Sequence, residues 1–234
     1  MKRFLLFFLM AILFINCTND QDVMILTGTI KGLKKGTVLL QKVEDTSLID
    51  VDSVIVDGDP IFNFERTIEE PEVYYLYLKL KDGSLKDVRL PFFAEAANIQ
   101  VATDLENFIM GAKITGSANQ DKIYEHQMIM DRFSEKNLEI IEQLFNAQRE
   151  ENDSLISVLD KKQRNLITSR YLATVNFSLR NKELEIAPYL MSHVIPDINK
   201  KYLDTVYRSL DPKIKNSIYG KELEKLINSI VPED

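Results

Sequence analysis

The chain has 234 residues, with 29 Lys and Arg against 36 Asp and Glu for a formal charge of -7. No basic stripe offsets that acidity, which disfavours an electrostatic grip on nucleic acid. One cysteine leaves no material for a disulfide framework or a pair of redox thiols.

At the N-terminus Met1, Lys2 and Arg3 precede an unbroken apolar run, Phe4 through Ile15. A spanning helix needs about 20 apolar residues, so this shorter run reads as a secretory signal over residues 1–16. The lone Cys17 stands where such a signal ends. Its string LFINC resembles the lipobox read by bacterial lipoprotein signal peptidase, with Asn16 where lipoboxes prefer Gly, Ala or Ser. The resemblance implies that acylated Cys17 holds the mature chain to a lipid membrane, each buried methylene contributing about 0.8 kcal/mol. The other reading of Cys17 is an ordinary cysteine at the end of a cleaved signal. Residues 17–22 form the polar, acidic tether that a lipid anchor needs. Losing Lys2 and Arg3 with the signal makes the mature chain more acidic still.

From 23 to 117, short apolar stretches alternate with turn residues, predicting strands over 23–31, 37–43, 48–56, 61–68, 73–80, 86–93, 98–103 and 112–115. Gly32 with Gly36, Asp45 with Ser47, Asp57-Gly58, Pro71 and Asp82-Gly83 separate them. Such spacing predicts an antiparallel β-sandwich or barrel-like sheet.

After Gly116 the texture turns helical. Ser117 or Asn119 can cap a long helix carrying Ile123, Met130, Phe133, Ile140, Ile141, Leu144 and Phe145 at three-and-four spacing. A polar break over 148–152 ends it, and Asp153-Ser154 starts a second helix with Leu155, Leu159, Leu166, Tyr171, Val175 and Leu179. Shorter helices are expected over 184–194, 198–210 and 221–231, with Asp211-Pro212 a further cap and first turn. The class is therefore α+β, a β-rich domain at 23–117 followed by a helical region at 118–234.

The strings LTGTIKGLKKGTVLLQ, VDSVIVDGDPIFNFERTIEEPEVYYLYL and KITGSANQD together resemble a β-rich domain of unknown function. That domain stands at the front of bacterial envelope proteins, where a thioredoxin-like thiol-disulfide oxidoreductase domain usually follows. Gly28, Asp52-Ser53, Asp57-Gly58 with Phe62 and Phe64, Pro71 and Gly116-Ser117 match its outline. IAPYLMSHVI and KELEKLINSI are similar to the segment that joins it to the redox domain. The chain reaches Asp234 about where that domain would begin and contains no Cys-x-x-Cys, so the family's redox activity is not expected of these residues.

The remaining motifs point to structure more than chemistry. Gly28, Gly32 and Gly36 lack the spacing of a phosphate loop and read as a strand bulge and turn glycines. Asp50, Asp52, Asp57 and Asp59 lack the order of a calcium loop and read as solvated strand edges and a turn, so no metal or other cofactor is expected. His126 and His193 have no metal-binding spacing, no serine sits in a Gly-x-Ser-x-Gly elbow, and Glu69-Glu70 and Glu150-Glu151 fall in turns or helix ends. Asp52, Asp153 and Asp204 each begin an Asp-Ser/Thr-aliphatic triplet similar to a bacterial O-glycosylation sequence. Tyr75 and Tyr77 share a strand face with Val73, giving an aromatic strip for a ligand or a packing role in the sheet.

These features lead us to expect a non-catalytic lipoprotein of the bacterial envelope, anchored through Cys17 on the outer membrane, that binds a protein or small ligand. The alternatives are a docking partner of a separate thiol-disulfide oxidoreductase and a hydrolase of scattered acids or histidines. The hydrolase reading requires His126 or His193 to meet a carboxylate in a concave pocket. Oligomeric state, ligand and partner are not legible.

Overall fold

The computed structural model describes residues 22–82 and 88–230. The signal, Cys17, most of the tether, Gly83, the first residues expected of the sixth strand and residues 231–234 lie outside the described residues. The strand-rich half is a sandwich of two four-stranded sheets. One holds β1 (Val23–Lys31), β4 (Ile61–Thr67), β7 (Asn98–Asp104) and β8 (Lys113–Thr115) in the order β4-β1-β7-β8. The other holds β2 (Lys35–Glu44), β3 (Ser47–Asp57), β5 (Glu72–Leu80) and β6 (Leu90–Ala94) in the order β3-β2-β5-β6.

Period-two alternation explains which residues go inside. Along β1, Met24, Leu26 and Ile30 are buried while their neighbours face solvent. Leu40, Leu76, Phe92 and Ile99 answer them from the other strands. Among the described residues every pairing is antiparallel except one, since β1 and β7 run parallel from Ile25 opposite Asn98 to Lys31 opposite Asp104. The connection between those two strands passes through the second sheet, so no hairpin constrains their direction.

The glycines sort differently from expectation. Gly28 sits in regular register opposite Phe62, not in a bulge, and a Cβ there would come within 2.1 Å of the Phe62 ring. Its missing side chain is the space that ring occupies. The irregularity lies instead in β2, between Leu40 and Gln41. Gly32 turns with φ +89 and Gly36 lies within β2.

Gly116 closes the sandwich with φ +96, and a side chain there would strike the Asn98 carbonyl oxygen. Ser117 then caps α1 (Ala118–Arg149), its hydroxyl accepting the Gln120 N–H at 3.0 Å. At the far end Asn152 accepts from the Leu155 N–H and starts α2 (Asp153–Arg180), which returns antiparallel to α1. Ile140, Ala147 and Leu159 make a small core of their own in the outer half of this hairpin.

The expected helix at 184–194 divides into one α turn, α3 (Ile186–Tyr189), and a π-helical turn (Leu190–Val194). Next come α4 (Lys200–Ser209), α5 (Pro212–Lys215) and α6 (Ile218–Ser229). The last begins three residues ahead of expectation, because the Ser217 hydroxyl caps it by accepting the Gly220 N–H. Leu203, Val206, Ile214 and Leu223 pack this group against Val175 of α2.

Candidate functional site

The sandwich and the helices are joined through specific groups. The buried Asn119 amide donates to Glu95 at 2.8 Å and to Glu185 at 3.0 Å, and its oxygen accepts the Ile186 N–H at 2.8 Å. Glu70 accepts the Ile218 N–H, and the Tyr219 hydroxyl accepts the Val73 N–H at 2.8 Å. Burial pushes the Tyr219 phenol well above the usual tyrosine range. Phe93, Tyr189 and Tyr219 meet edge to face here, with ring centres 5.0 to 5.9 Å apart.

Along that seam lies an apolar cleft of about 510 Å³, within the size range of ligand pockets. The two edge strands β6 and β8 form one wall and the first turns of α1 the other. An open strand edge is a template for pairing. Here α1 blocks it, because Gln120 Oε1 accepts the Phe93 N–H at 3.0 Å and the Tyr124 hydroxyl accepts the Ile114 N–H at 3.1 Å. Pro91 brings no N–H at all. Apolar residues from Leu90 to Phe92, Ile114, Ile123 and Met130 line the cleft, while Met110, 91% exposed, stands at its mouth.

His126 is on the cleft wall and only 6% exposed, with its ring edge-on to Phe177. Its Nε2 lies 2.9 Å from the Thr174 hydroxyl, and burial lowers its pKa from the ordinary value, keeping the ring neutral. The sequence already held a signal for this position. Ile123, His126, Met130 and Phe133 follow one helical stripe, so the histidine occupies an apolar place. Gln120, Tyr124 and Thr174 carry no comparable signal.

The residues singled out from the sequence do not gather into one site. Tyr77 is buried with the Arg89 guanidinium 4.2 Å over its ring, and Tyr75 is half-buried against the aromatic seam. The four aspartates take separate partners. Asp50 accepts from Gln41, Asp52 lies 3.9 Å from Arg66, Asp57 pairs with Lys35 at 2.6 Å, and Asp59 accepts the Ile61 N–H. Among the described residues no group of three or more His, Cys, Asp or Glu side chains is placed to hold a metal.

His193 stacks on Tyr189, reaches Glu222 at 3.6 Å and has Nδ1 2.9 Å from the Ser192 hydroxyl. That hydroxyl donates to the Pro188 carbonyl, so the serine proton is directed away from the ring. His193 has its carboxylate outside the cleft, and His126 has the cleft with a threonine as partner, so neither meets the two requirements of the hydrolase reading. Glu69, Glu70 and Glu72 line a separate hollow of about 380 Å³ together with Lys42 and Arg66. Burial raises the pKa of Glu72, with nearby Lys42 opposing it. Of the triplets, Asp153 opens α2, Asp204 lies inside α4 paired with Arg208, and Asp52 sits within β3.

Residues 24–123 match the family model of a domain of unknown function, DUF4369. The match spans the sandwich and ends in the first turns of α1, on the cleft wall. A domain of unknown function in the strand-rich half agrees with the outline of Gly28, Asp52-Ser53 and Gly116-Ser117. Transthyretin from Sparus aurata is 13% identical over 41% of this chain and 97% of its own, with a TM-score of 0.31. Sea bream transthyretin in complex with thyroxine gives 13% identity, coverage of 41% and 96%, and the same TM-score of 0.31. Likeness at this level bears on neither ligand nor function. No curated protein sequence matches the chain.

Proposed function

We propose that this protein is a non-catalytic binding or accessory module of the bacterial envelope, exported by residues 1–16 and anchored by lipid on Cys17. The observation that carries the reading is the cleft between the sandwich edges and α1. Among the described residues its wall is mainly apolar and carries no formal charge, and no acid-base pair converges on it. Such a wall suits holding a ligand, whereas catalysis needs groups positioned to move protons or stabilise charge.

Two experiments test the two halves of this reading. Growth of the producing bacterium with a clickable palmitate analogue should label the chain, and Cys17→Ser should abolish both label and membrane retention. An unlabelled wild-type chain recovered free of lipid overturns the anchor. Crosslinking on membranes should then capture a specific partner or ligand that is lost when Ile109→Glu places a charge at the cleft. Capture unaffected by that change overturns the cleft as the site.

A second reading draws support from the domain match together with the resemblance of 186–195 and 221–230 to the segment preceding a redox domain. In it the chain docks with a separate thiol-disulfide oxidoreductase. Deletion should then shift the redox state of envelope thiols, and an unchanged thiol profile removes that reading.

A further inference from the structure

We propose that the cleft takes an uncharged, lipid-like ligand bearing a hydroxyl, with the hydroxyl donating to Nδ1 of His126. The proposal rests on reading the cleft as a binding site. Among the described residues no side chain on the cleft wall carries a formal charge. A carboxylate or ammonium entering it would lose water and find no counter-ion, a desolvation cost that an uncharged molecule avoids. The aliphatic and aromatic wall suits a hydrocarbon body, and exposed Ile109 and Met110 at the mouth extend that surface outward.

The polar requirement follows from hydrogen bonds inside the wall. The Thr174 hydroxyl, in the interior of α2, has the Arg170 carbonyl as an acceptor at 3.4 Å. We assign its proton to that carbonyl or to the Met130 sulfur at 3.8 Å rather than to the ring, in which case the hydroxyl accepts from the histidine, the ring proton sits on Nε2 and Nδ1 is left as a bare acceptor. Burial, which holds the ring neutral, preserves that lone pair. Nδ1 has no partner among the described residues, and it is open to solvent rather than sealed in the core, since Ser178 Oγ is the one fully buried side-chain polar atom among those residues that lacks a partner. Gln120 offers the complementary group, since its Oε1 is taken by Phe93 while its Nε2 donates to no described residue. A wall with one free acceptor and one free donor matches a hydroxyl, which has both capacities. An ether offers only an acceptor, so it leaves Nδ1 unpaired.

The test uses the full mature chain and N-phenylnaphthylamine, a neutral apolar fluorophore, with decanol, decyl methyl ether and decanoate as competitors at mildly alkaline pH. The fluorophore should bind saturably, and decanol should displace it at about fivefold lower concentration than the ether, the ratio equivalent to one ordinary hydrogen bond. Decanoate should compete more weakly than decanol. His126→Phe keeps a ring in place and should bring alcohol and ether together. Thr174→Val, which frees the ring tautomer, should reduce the ratio without abolishing fluorophore binding, and it serves if the first variant fails to fold.

Equal displacement by alcohol and ether in the wild type, a ratio that survives His126→Phe, or decanoate binding as well as decanol overturns the ligand class and leaves the cleft reading intact. Absent fluorophore binding, or binding indifferent to Ile109→Glu, overturns the cleft reading itself.

Discussion

The two halves of α1 face different surroundings. Its first turns are held between the sandwich edges and α3, with Gln120, Tyr124 and Asn119 each bonded across the seam. Among the described residues its outer half meets only α2, through a small cluster around Ile140, Ala147 and Leu159. On the outer faces Leu138 and Phe145 are both 66% exposed. A helix in a two-helix hairpin has one covered stripe, so apolar residues outside that stripe remain in water whatever their hydrophobicity. Stability should therefore be graded along a single helix, high at the seam and low at the tip.

The largest effect that tests this contrast is Leu76→Ala in the sandwich core, expected to remove about 3 kcal/mol of stability by urea unfolding. Next is Asn119→Ala, which strands the Ile186 N–H and removes the amide between two carboxylates, with an expected loss of about 2 kcal/mol. A loss under about 0.5 kcal/mol would show that the seam contributes no more than an ordinary surface site.

Acid should act more gently, through His126. Its folded pKa lies below the ordinary 6.5 because burial disfavours the charged ring. The unfolded chain thus takes up the proton first as pH falls. This contribution to stability is complete above 6.5 and lost as pH falls from there through the folded value. Comparison of stability against pH for wild type and His126→Phe should show that slope only in the wild type.

Ile140→Ala should lower the free energy of the main unfolding transition by less than about 0.5 kcal/mol while speeding amide exchange over the outer hairpin. A loss as large as that of Leu76→Ala would make the hairpin and sandwich one cooperative unit and break the comparison. Phe145→Ser should be smallest of all, within about 0.5 kcal/mol, since its ring is already exposed.

Much of this fold was readable from local pattern. Alternation in VMILTGTIK places Met24, Leu26 and Ile30 on one face before any partner strand is known. Ser117, Asp153-Ser154 and Asp211-Pro212 mark helix starts because capping depends on residues within one turn. The role of Gly28 was misread, since what it accommodates is Phe62, a residue from another strand. The site was less readable than the fold. Tyr75 and Tyr77 share the expected face, yet Arg89 and the aromatic seam cover much of it, and neither is adjacent in sequence.

By itself the sequence determined the strand and helix segments and most of their ends, because each depends on periodicity or chemistry among near neighbours. Tertiary structure alone decided that β1 runs parallel to β7, that α1 closes the two free strand edges, and that His126 faces a cleft with one nitrogen unpartnered. Those outcomes depend on which distant surfaces bury each other's apolar area and satisfy each other's backbone groups, a competition among long-range pairings that no local window of residues contains.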